Sequence, residues 1–322
     1  MRSKTNVYKR IDLINNNYGG RAYERLIDES FKDIVRPYYI IKSKKFLSVI
    51  YSFFKSLIIF NFFSNKNHLL TLQTIPFLNL RKKNILIVHH IDLSYDSFSM
   101  RIYYKICLTI LKVMRNFISE IVVVSSYWED YMKKMGFSNV TKIYNSFELS
   151  EFKFSEVEID VFKNKHKLNT NKPIVYVGNL RAKKGAENVY NVLKDKKYIF
   201  VGSGSSTYHI DGIRCFDLNY RDYLLLLKSS DLVILMSEFE EGWNRTAHEA
   251  ILLDKKVVGS GRGGMKELLM KTNNTICINI KQLNKIVERQ LLEKTDDQTI
   301  FLQDFNIDYF KREWKVLLNK FV

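Results

Sequence analysis

The stretch Leu232-Val233-Ile234-Leu235-Met236-Ser237-Glu238-Phe239-Glu240-Glu241-Gly242-Trp243-Asn244-Arg245-Thr246-Ala247-His248-Glu249-Ala250-Ile251-Leu252 decides the fold class. It opens on an uninterrupted apolar run of strand length and ends on a segment of helical character, the signature of a buried parallel strand feeding a helix. Free backbone N–H groups near Asn244, Arg245 and Thr246 would then sit at a helix start and favour phosphate oxygens. Glu241 precedes that helix and Glu249 lies two turns inside it. A carboxylate beside bound phosphate is costly unless it accepts hydrogen bonds, which sugar hydroxyls can supply.

Working outward, the same alternation runs along the chain. Strand-length runs occur at Val7–Ile14, Tyr38–Ile41, Leu69–Leu72, Ile85–Val88, Glu120–Val124 and Val140–Tyr144, with helix-like stretches at about 21–34, 44–60, 97–117 and 126–136. A charged stretch from Glu148 to Lys172 interrupts the pattern. After Pro173 it resumes at Ile174–Val177, Tyr198–Val201, Ile213–Phe216, Leu232–Met236, Lys256–Gly259 and Thr275–Ile278. The expected fold is α/β, with two Rossmann-like doubly wound domains. Residues 1–150 form the first, 151–307 the second, and 308–322 a closing helix that packs across the domains.

Composition bounds the function. Across 322 residues, 46% of them hydrophobic, 51 Lys and Arg face 34 Asp and Glu, for a net charge of +17. Such a bias implies an anionic partner: nucleic acid, an acidic membrane face or phosphorylated ligands. Residues 1–150 hold 23 basic and 11 acidic side chains and residues 151–322 hold 28 and 23, so the first half is the cationic one. Cys107, Cys215 and Cys277 are isolated, without metal-ligand or redox spacing, and read as ordinary buried thiols. The opening residues show no cleavable leader, and a cytoplasmic protein is expected.

One segment tests that expectation. Phe46 to Phe63 holds 13 apolar residues among 18, with Lys55 near its centre. A central Lys costs about 2.5–3.5 kcal/mol on insertion scales, which argues against a spanning helix. Two readings stay open: an interfacial helix with Lys42, Lys44, Lys45 and Lys66 turned to anionic headgroups, or a core helix of the α/β domain.

Three further loops follow strands. Ile174–Val177 runs into Gly178-Asn179-Leu180-Arg181-Ala182-Lys183-Lys184-Gly185, where Arg181 and Lys184 can neutralise a diphosphate. Tyr198–Val201 ends in Gly202-Ser203-Gly204, which lacks the later glycine of a dinucleotide fingerprint. The strand ending at Val258 leads to Gly259-Ser260-Gly261-Arg262-Gly263-Gly264, and so many glycines before a helix point to ligand approach rather than packing. All lie at one sheet edge, where an open parallel sheet binds its ligand.

Gly178 to Gly185, the Glu241-x7-Glu249 pair and Gly263-Gly264-Met265-Lys266-Glu267 together resemble the donor-binding motifs of retaining GT-B glycosyltransferases, especially glycosyltransferase family 4. The resemblance implies a GT-B fold with an interdomain cleft and transfer of a sugar from a nucleotide-diphosphate sugar to a hydroxyl of a glycan or lipid-linked acceptor. It implies that Lys184 contacts the donor diphosphate, Glu249 holds the ribose and Glu241 lies by the donor-sugar hydroxyls. Gly178, Asn179, Arg181, Gly202, Gly204, Asn244, Arg245, Thr246, Gly263 and Gly264 complete the donor side. In the first half Gly19-Gly20 resembles the family's loop after the first strand, and His89-His90 the histidine at the reaction centre. Asn145-Ser146-Phe147-Glu148 resembles the segment before the linker, and Asp92 borders the acceptor.

Departures are specific. Asn179 stands where the family has an arginine, leaving the diphosphate charge to Lys184 with Arg181 or Lys183. Asn244 replaces a frequent glycine, and Asp254 and Lys256 a common Gly and Pro. Without an Asp-x-Asp element, a metal-independent reaction without cofactor is expected, in a cytoplasmic enzyme peripheral to an anionic membrane surface. The rival functions are a nucleotide-sugar hydrolase or epimerase, a catalytically silent partner subunit and a basic nucleic-acid-binding protein, although no stacking platform or recognition helix supports the last.

Overall fold

A computed structural model describes residues 7–15, 21–43, 45–93, 97–205, 208–293 and 300–321. It divides into two units, Met1–Asn145 with Asp308–Val322, and Ser146–Ile307. The division falls just before the charged stretch, and the last helix belongs with the first unit.

In the first unit the apolar runs become six parallel strands: β1 (Tyr8–Asp12), β2 (Val35–Tyr39), β3 (Asn67–Thr71), β4 (Asn84–Val88), β5 (Glu120–Val123) and β6 (Val140–Lys142), in the order β2-β1-β3-β4-β5-β6. β3, β4 and β5 are apolar or buried on both faces, as a sheet covered by helices requires. β2 starts at Val35 rather than at Tyr38 and contains Pro37, which an edge strand tolerates because only one side of it is paired. The covering helices are α1 (Ala22–Ser30), α2 (Phe46–Ile58), α3 (Phe98–Val113) and α4 (Ser126–Lys134). α2 runs on into a π-helical turn through Phe63.

The core of this unit is built on Ile11, Leu70, Ile75, Leu86, Ile121 and Trp128. His68 is fully buried within it, its Nδ1 3.0 Å from the Phe77 carbonyl and its Nε2 2.8 Å from Ser64 Oγ. Burial, with Lys9 adding to it, lowers its pKa to about 4.

The second unit repeats the plan with β7 (Ile174–Asn179), β8 (Ile199–Ser203), β9 (Ile213–Phe216), β10 (Leu232–Leu235), β11 (Val257–Gly259) and β12 (Thr275–Ile276), in the order β12-β11-β10-β7-β8-β9. This is the strand order of a dinucleotide-binding sheet, and its direction reverses between β7 and β10. Its helices are α5 (Glu156–Lys165), α6 (Ala186–Leu193), α7 (Tyr220–Ser229), α8 (Arg245–Leu252), α9 (Gly264–Lys271), α10 (Leu283–Leu292) and α11 (Ile300–Gln303). The charged stretch that interrupts the sequence pattern at 148–172 holds α5, a helix not singled out in the sequence. Ser155 caps Glu158 N while the Glu158 carboxylate accepts from Ser155 N at 2.9 Å, a reciprocal box that starts the helix, and Ile159 and Phe162 anchor it.

α12 (Ile307–Asn319) completes the first unit. Tyr8 donates its hydroxyl to the Leu318 carbonyl at 2.6 Å, Trp314 Nε1 donates to Tyr23 Oη at 3.2 Å, and Phe310 meets the Tyr23 ring edge-on. Of the cysteines, Cys107 and Cys277 are buried as expected, whereas Cys215 on β9 is half-buried.

Candidate functional site

The second unit's site grows from its strand ends. β7 ends on Gly178-Asn179, with Gly178 at φ +89°, and a single turn over Ala182–Lys184 leads to Gly185 at φ +72°. A side chain at Gly185 would put its Cβ 2.2 Å from the Met236 carbonyl oxygen, so only glycine lets this loop pack against the end of β10. That approach delivers Lys184, whose Nζ lies 2.7 Å from Glu241 Oε1 and over the Phe239 ring.

Glu241 is buried and gathers several donors on one oxygen. Ser237 Oγ makes a short bond to its Oε1, and Asn244 Nδ2 lies 3.4 Å from the same atom. Its backbone is clamped by the glycine loop, because Gly264 N donates to the Glu241 carbonyl at 2.9 Å. Gly263, at φ +60°, comes so close that an added Cβ would lie 2.4 Å from that carbonyl oxygen. The third glycine loop thus has a structural task, to hold Glu241 in place.

Asn244 explains its departure from the frequent glycine. It adopts φ +60°, a conformation that Asn tolerates, and its Oδ1 caps α8 by accepting from Ala247 N at 2.9 Å. α8 then presents Thr246, and one turn on, Glu249. Tyr223 donates to Glu249 Oε2 at 2.9 Å, Tyr220 to Oε1 at 3.2 Å, and Arg245 approaches at 3.4 Å. Burial pushes the Glu249 carboxyl up, opposed by Arg245 and the tyrosine hydroxyls. The Arg245 guanidinium also lies over the Phe147 ring, 4.2 Å from its centroid. His248 is fully buried: Trp243 Nε1 donates to its Nδ1 at 2.9 Å and its ring meets Phe147 edge-on, so it belongs to the core.

Gly178, Asn179, Lys184, Leu235, Ser237, Asn244 and Thr246 line one crevice of about 30 Å3 at the β7–β10 reversal. Its size is on the scale of one water molecule, enough for the edge of a phosphate group and not for a whole nucleotide. Asn179 closes one side by accepting from Arg181 N at 3.1 Å, and the Arg181 side chain is exposed. Gly202 abuts Leu180 and the Gly178 carbonyl, and Gly204 abuts the Asn179 amide, so the β8 loop supports the β7 loop from behind. Sequence reasoning missed Ser237, Tyr220 and Tyr223. The tyrosines, spaced i and i+3 on a helix, carry a detectable signal for one shared face.

In the first unit, β4 leads into His89, whose Nε2 lies 2.7 Å from Glu24 Oε1 on α1, while Tyr23 meets the ring edge-on. Burial would raise the Glu24 carboxyl, but the charge and hydrogen bond of His89 outweigh it and hold it below the usual range. His90 is exposed and Asp92 half-buried. Beside the dyad, Arg10 on β1 makes a bidentate pair with Asp28, at 2.8 and 2.6 Å, and also bonds Asp12. Arg21 reaches Asp12 at 3.3 Å. Neither Glu24 nor this cluster was anticipated from sequence. Gly19 and Gly20 lie outside the described residues.

No family profile and no curated protein matches the chain by sequence. Its architecture is shared with solved structures. It is similar to the Anabaena HepE protein in complex with UDP-glucose (15% identity, 97% of this chain and 99% of that chain covered, TM-score 0.76). It is similar to sucrose-phosphate synthase from Thermosynechococcus elongatus (14%, 97% and 98%, 0.77) and to a glycosyltransferase from Rickettsia africae (14%, 98% and 98%, 0.69). At these identities the likeness establishes the fold: two Rossmann-like domains of the GT-B type.

Proposed function

We propose that the protein is a glycosyltransferase of the family 4 type that moves a sugar, with retention, from a nucleotide-diphosphate sugar to a hydroxyl of a glycan or lipid-linked acceptor. One observation carries the reading: Lys184, Ser237, Asn244 and Thr246 converge on a single crevice at the β7–β10 reversal, with Glu241 and Glu249 positioned by the same elements. The UDP-glucose bound in the HepE structure, on the same fold, adds to it.

In this reaction the diphosphate lies against the α8 start and Lys184. The ammonium has three N–H groups, so it can keep Glu241 and still donate to phosphate oxygens. Glu249 accepts from the ribose hydroxyls and Glu241 orients the donor sugar. The acceptor oxygen bonds to the anomeric carbon while the bond from that carbon to the phosphate oxygen breaks. Both events occur on one face, and the acceptor proton passes to the departing phosphate. Lys184, Arg181 and backbone N–H groups stabilise the developing negative charge, which is preorganised electrostatics without a metal. The first domain takes the acceptor, with the His89–Glu24 dyad at its strand edge. His89, held by Glu24, is the candidate for a fixed role at this edge.

The test is turnover of UDP-, GDP-, ADP- and CMP-sugars, preceded by thermal shift with the free nucleotides. Glu249→Ala and Lys184→Ala are expected to weaken donor binding by about tenfold to a hundredfold, the range for lost charge-assisted hydrogen bonds. Unchanged affinity and turnover in both variants would remove the assignment. Diphosphate release that is independent of acceptor would convert it to a hydrolase.

A further inference from the structure

The first domain carries a second feature that the donor chemistry does not use. Residues 34–119 contain 13 basic and only two acidic side chains, nearly the whole cationic excess of the first half. The same stretch supplies α2 and α3. From Phe46 to Phe63 the chain is long and apolar enough to cross a membrane, yet only 11% of it is buried. Phe53, Leu57 and Phe60 turn inward to the core, while Phe46, Leu47 and Phe63 are 76%, 79% and 73% exposed. Ser48, Ser52 and Ser56 lie on the inward side while Ile50, Tyr51, Phe54, Ile58 and Phe62 are also exposed, so the more apolar face of the helix is the outward one, as at a lipid boundary.

α3 extends the exposed face with Phe98, Ile102, Ile106 and Val113, flanked by the exposed cations Arg101, Lys105 and Lys112. Between the two helices lies a pocket of about 440 Å3, within the range of small-molecule sites. Its walls include Phe53, Leu57, Leu78, Ile106 and Ile110. Its one amide, Asn61, is occupied when its nitrogen faces the Pro76 and Leu78 carbonyls at 3.1 and 2.7 Å. Ile106 both lines the pocket and is half exposed, so the pocket opens on the apolar face.

We propose that this face docks on an anionic bilayer, with α2 lying in the interfacial plane, and that the pocket takes up one hydrocarbon chain of an anionic lipid. Charge complementarity selects the occupant: lysines are depleted from protein–protein interfaces, whereas cations flanking apolar side chains suit anionic headgroups above acyl chains. The pocket offers nothing polar to a nucleotide or a peptide backbone. Lys55, with its ammonium over the Tyr51 ring, and the anchoring of Phe53, Leu57 and Phe60 in the core keep the helix in the plane of the membrane rather than across it.

The full chain is mixed with vesicles of phosphatidylcholine alone, or of phosphatidylcholine with phosphatidylglycerol that bears a photoreactive diazirine on one acyl chain. Flotation is expected with the anionic vesicles only, and illumination should label peptides of α2 and α3 that line the pocket. Ile110→Trp, which fills the pocket, should still float but lose that label about tenfold. Lys105→Glu with Lys112→Glu should lower flotation about tenfold or more. Labelling of wild-type protein needs no variant to fold, and circular dichroism checks those that are made. Equal flotation on neutral vesicles, label absent from the pocket, or a stable dimer that protects α2 in place of lipid would each overturn the proposal. A nucleotide-induced thermal shift on the same preparations reports the donor site separately, so failure of one reading leaves the other measurable.

Discussion

The two domains share one architecture and spend their charge in opposite ways. In the second, cations and carboxylates turn inward at the sheet edge and are consumed locally: Lys184 on Glu241, Arg245 on Glu249. In the first, the paired charges form a cluster at the ends of β1 and β4, while a larger cationic excess remains outside on α2, α3 and their flanks. Under the proposals made above, the second domain's charges suit a compact, highly charged ligand and the first domain's excess an extended anionic surface. A net charge of +17 is the sum of two unrelated designs, which is why it could not be assigned to one partner from composition.

That contrast can be broken most severely at Gly185. Gly185→Val forces a side chain into the Met236 carbonyl in a left-handed conformation and is expected to cost the second domain about 4 kcal/mol or more. Amide hydrogen exchange should show the loss on β7 and β10, with the first-domain sheet unchanged.

The first domain has its own weak point in acid. The folded pKa of His68 lies near 4, below the ordinary 6.5 of an unfolded chain. Both states are neutral above 6.5, so its contribution is complete there and is lost as pH falls from 6.5 toward 4. The loss amounts to about 3 kcal/mol. His68→Gln should flatten that part of the pH dependence when exchange is followed on β3 and β4.

A smaller effect sharpens the inward pairing of the second domain. Lys184→Met leaves the buried Glu241 carboxylate without its cation and should cost about 1–2 kcal/mol, largely recovered in the double variant with Glu241→Gln. A double-mutant cycle in urea measures the coupling, and additivity would mean that the pair is incidental. Least of all, Ser155→Ala removes the cap of α5 and should cost about 1 kcal/mol, confined to the second domain.

Much of this was legible in the chain because parallel strands buried on both faces are continuous apolar runs. β4, β5, β7 and β10 therefore lie within a residue or two of their expected places. Lys184, Asn244 and Glu249 could be singled out because they lie in the loop after β7 and in the loop and helix after β10, and because their spacing resembles a known family; their roles belong to the proposed function. What stayed hidden depends on pairing at long sequence separation. His89 is a strand-end histidine in the sequence, but its partner Glu24 is 65 residues earlier on α1. Tyr220 and Tyr223 look like surface aromatics until α7 is laid beside α8. α5 was missed for a different reason: its apolar contribution is two residues, and the start signal Ser155 to Glu158 was hidden in a charged run. The open choice for residues 46–63 could not be settled by periodicity because large apolar side chains fall on its inward and its outward face alike.

The position of α12 bears on how the protein is made. The helix supplies Phe310, Trp314, Leu317 and Leu318 to the first domain's interior, yet it follows the whole second domain in the chain and is made after it. The second domain is continuous in sequence and has its complete core in hand earlier; the domain that begins first finishes last. Until α12 has been made, Tyr8 and Tyr23 wait without their partners on it, and a chain lacking that helix exposes an apolar face that invites chaperones or aggregation.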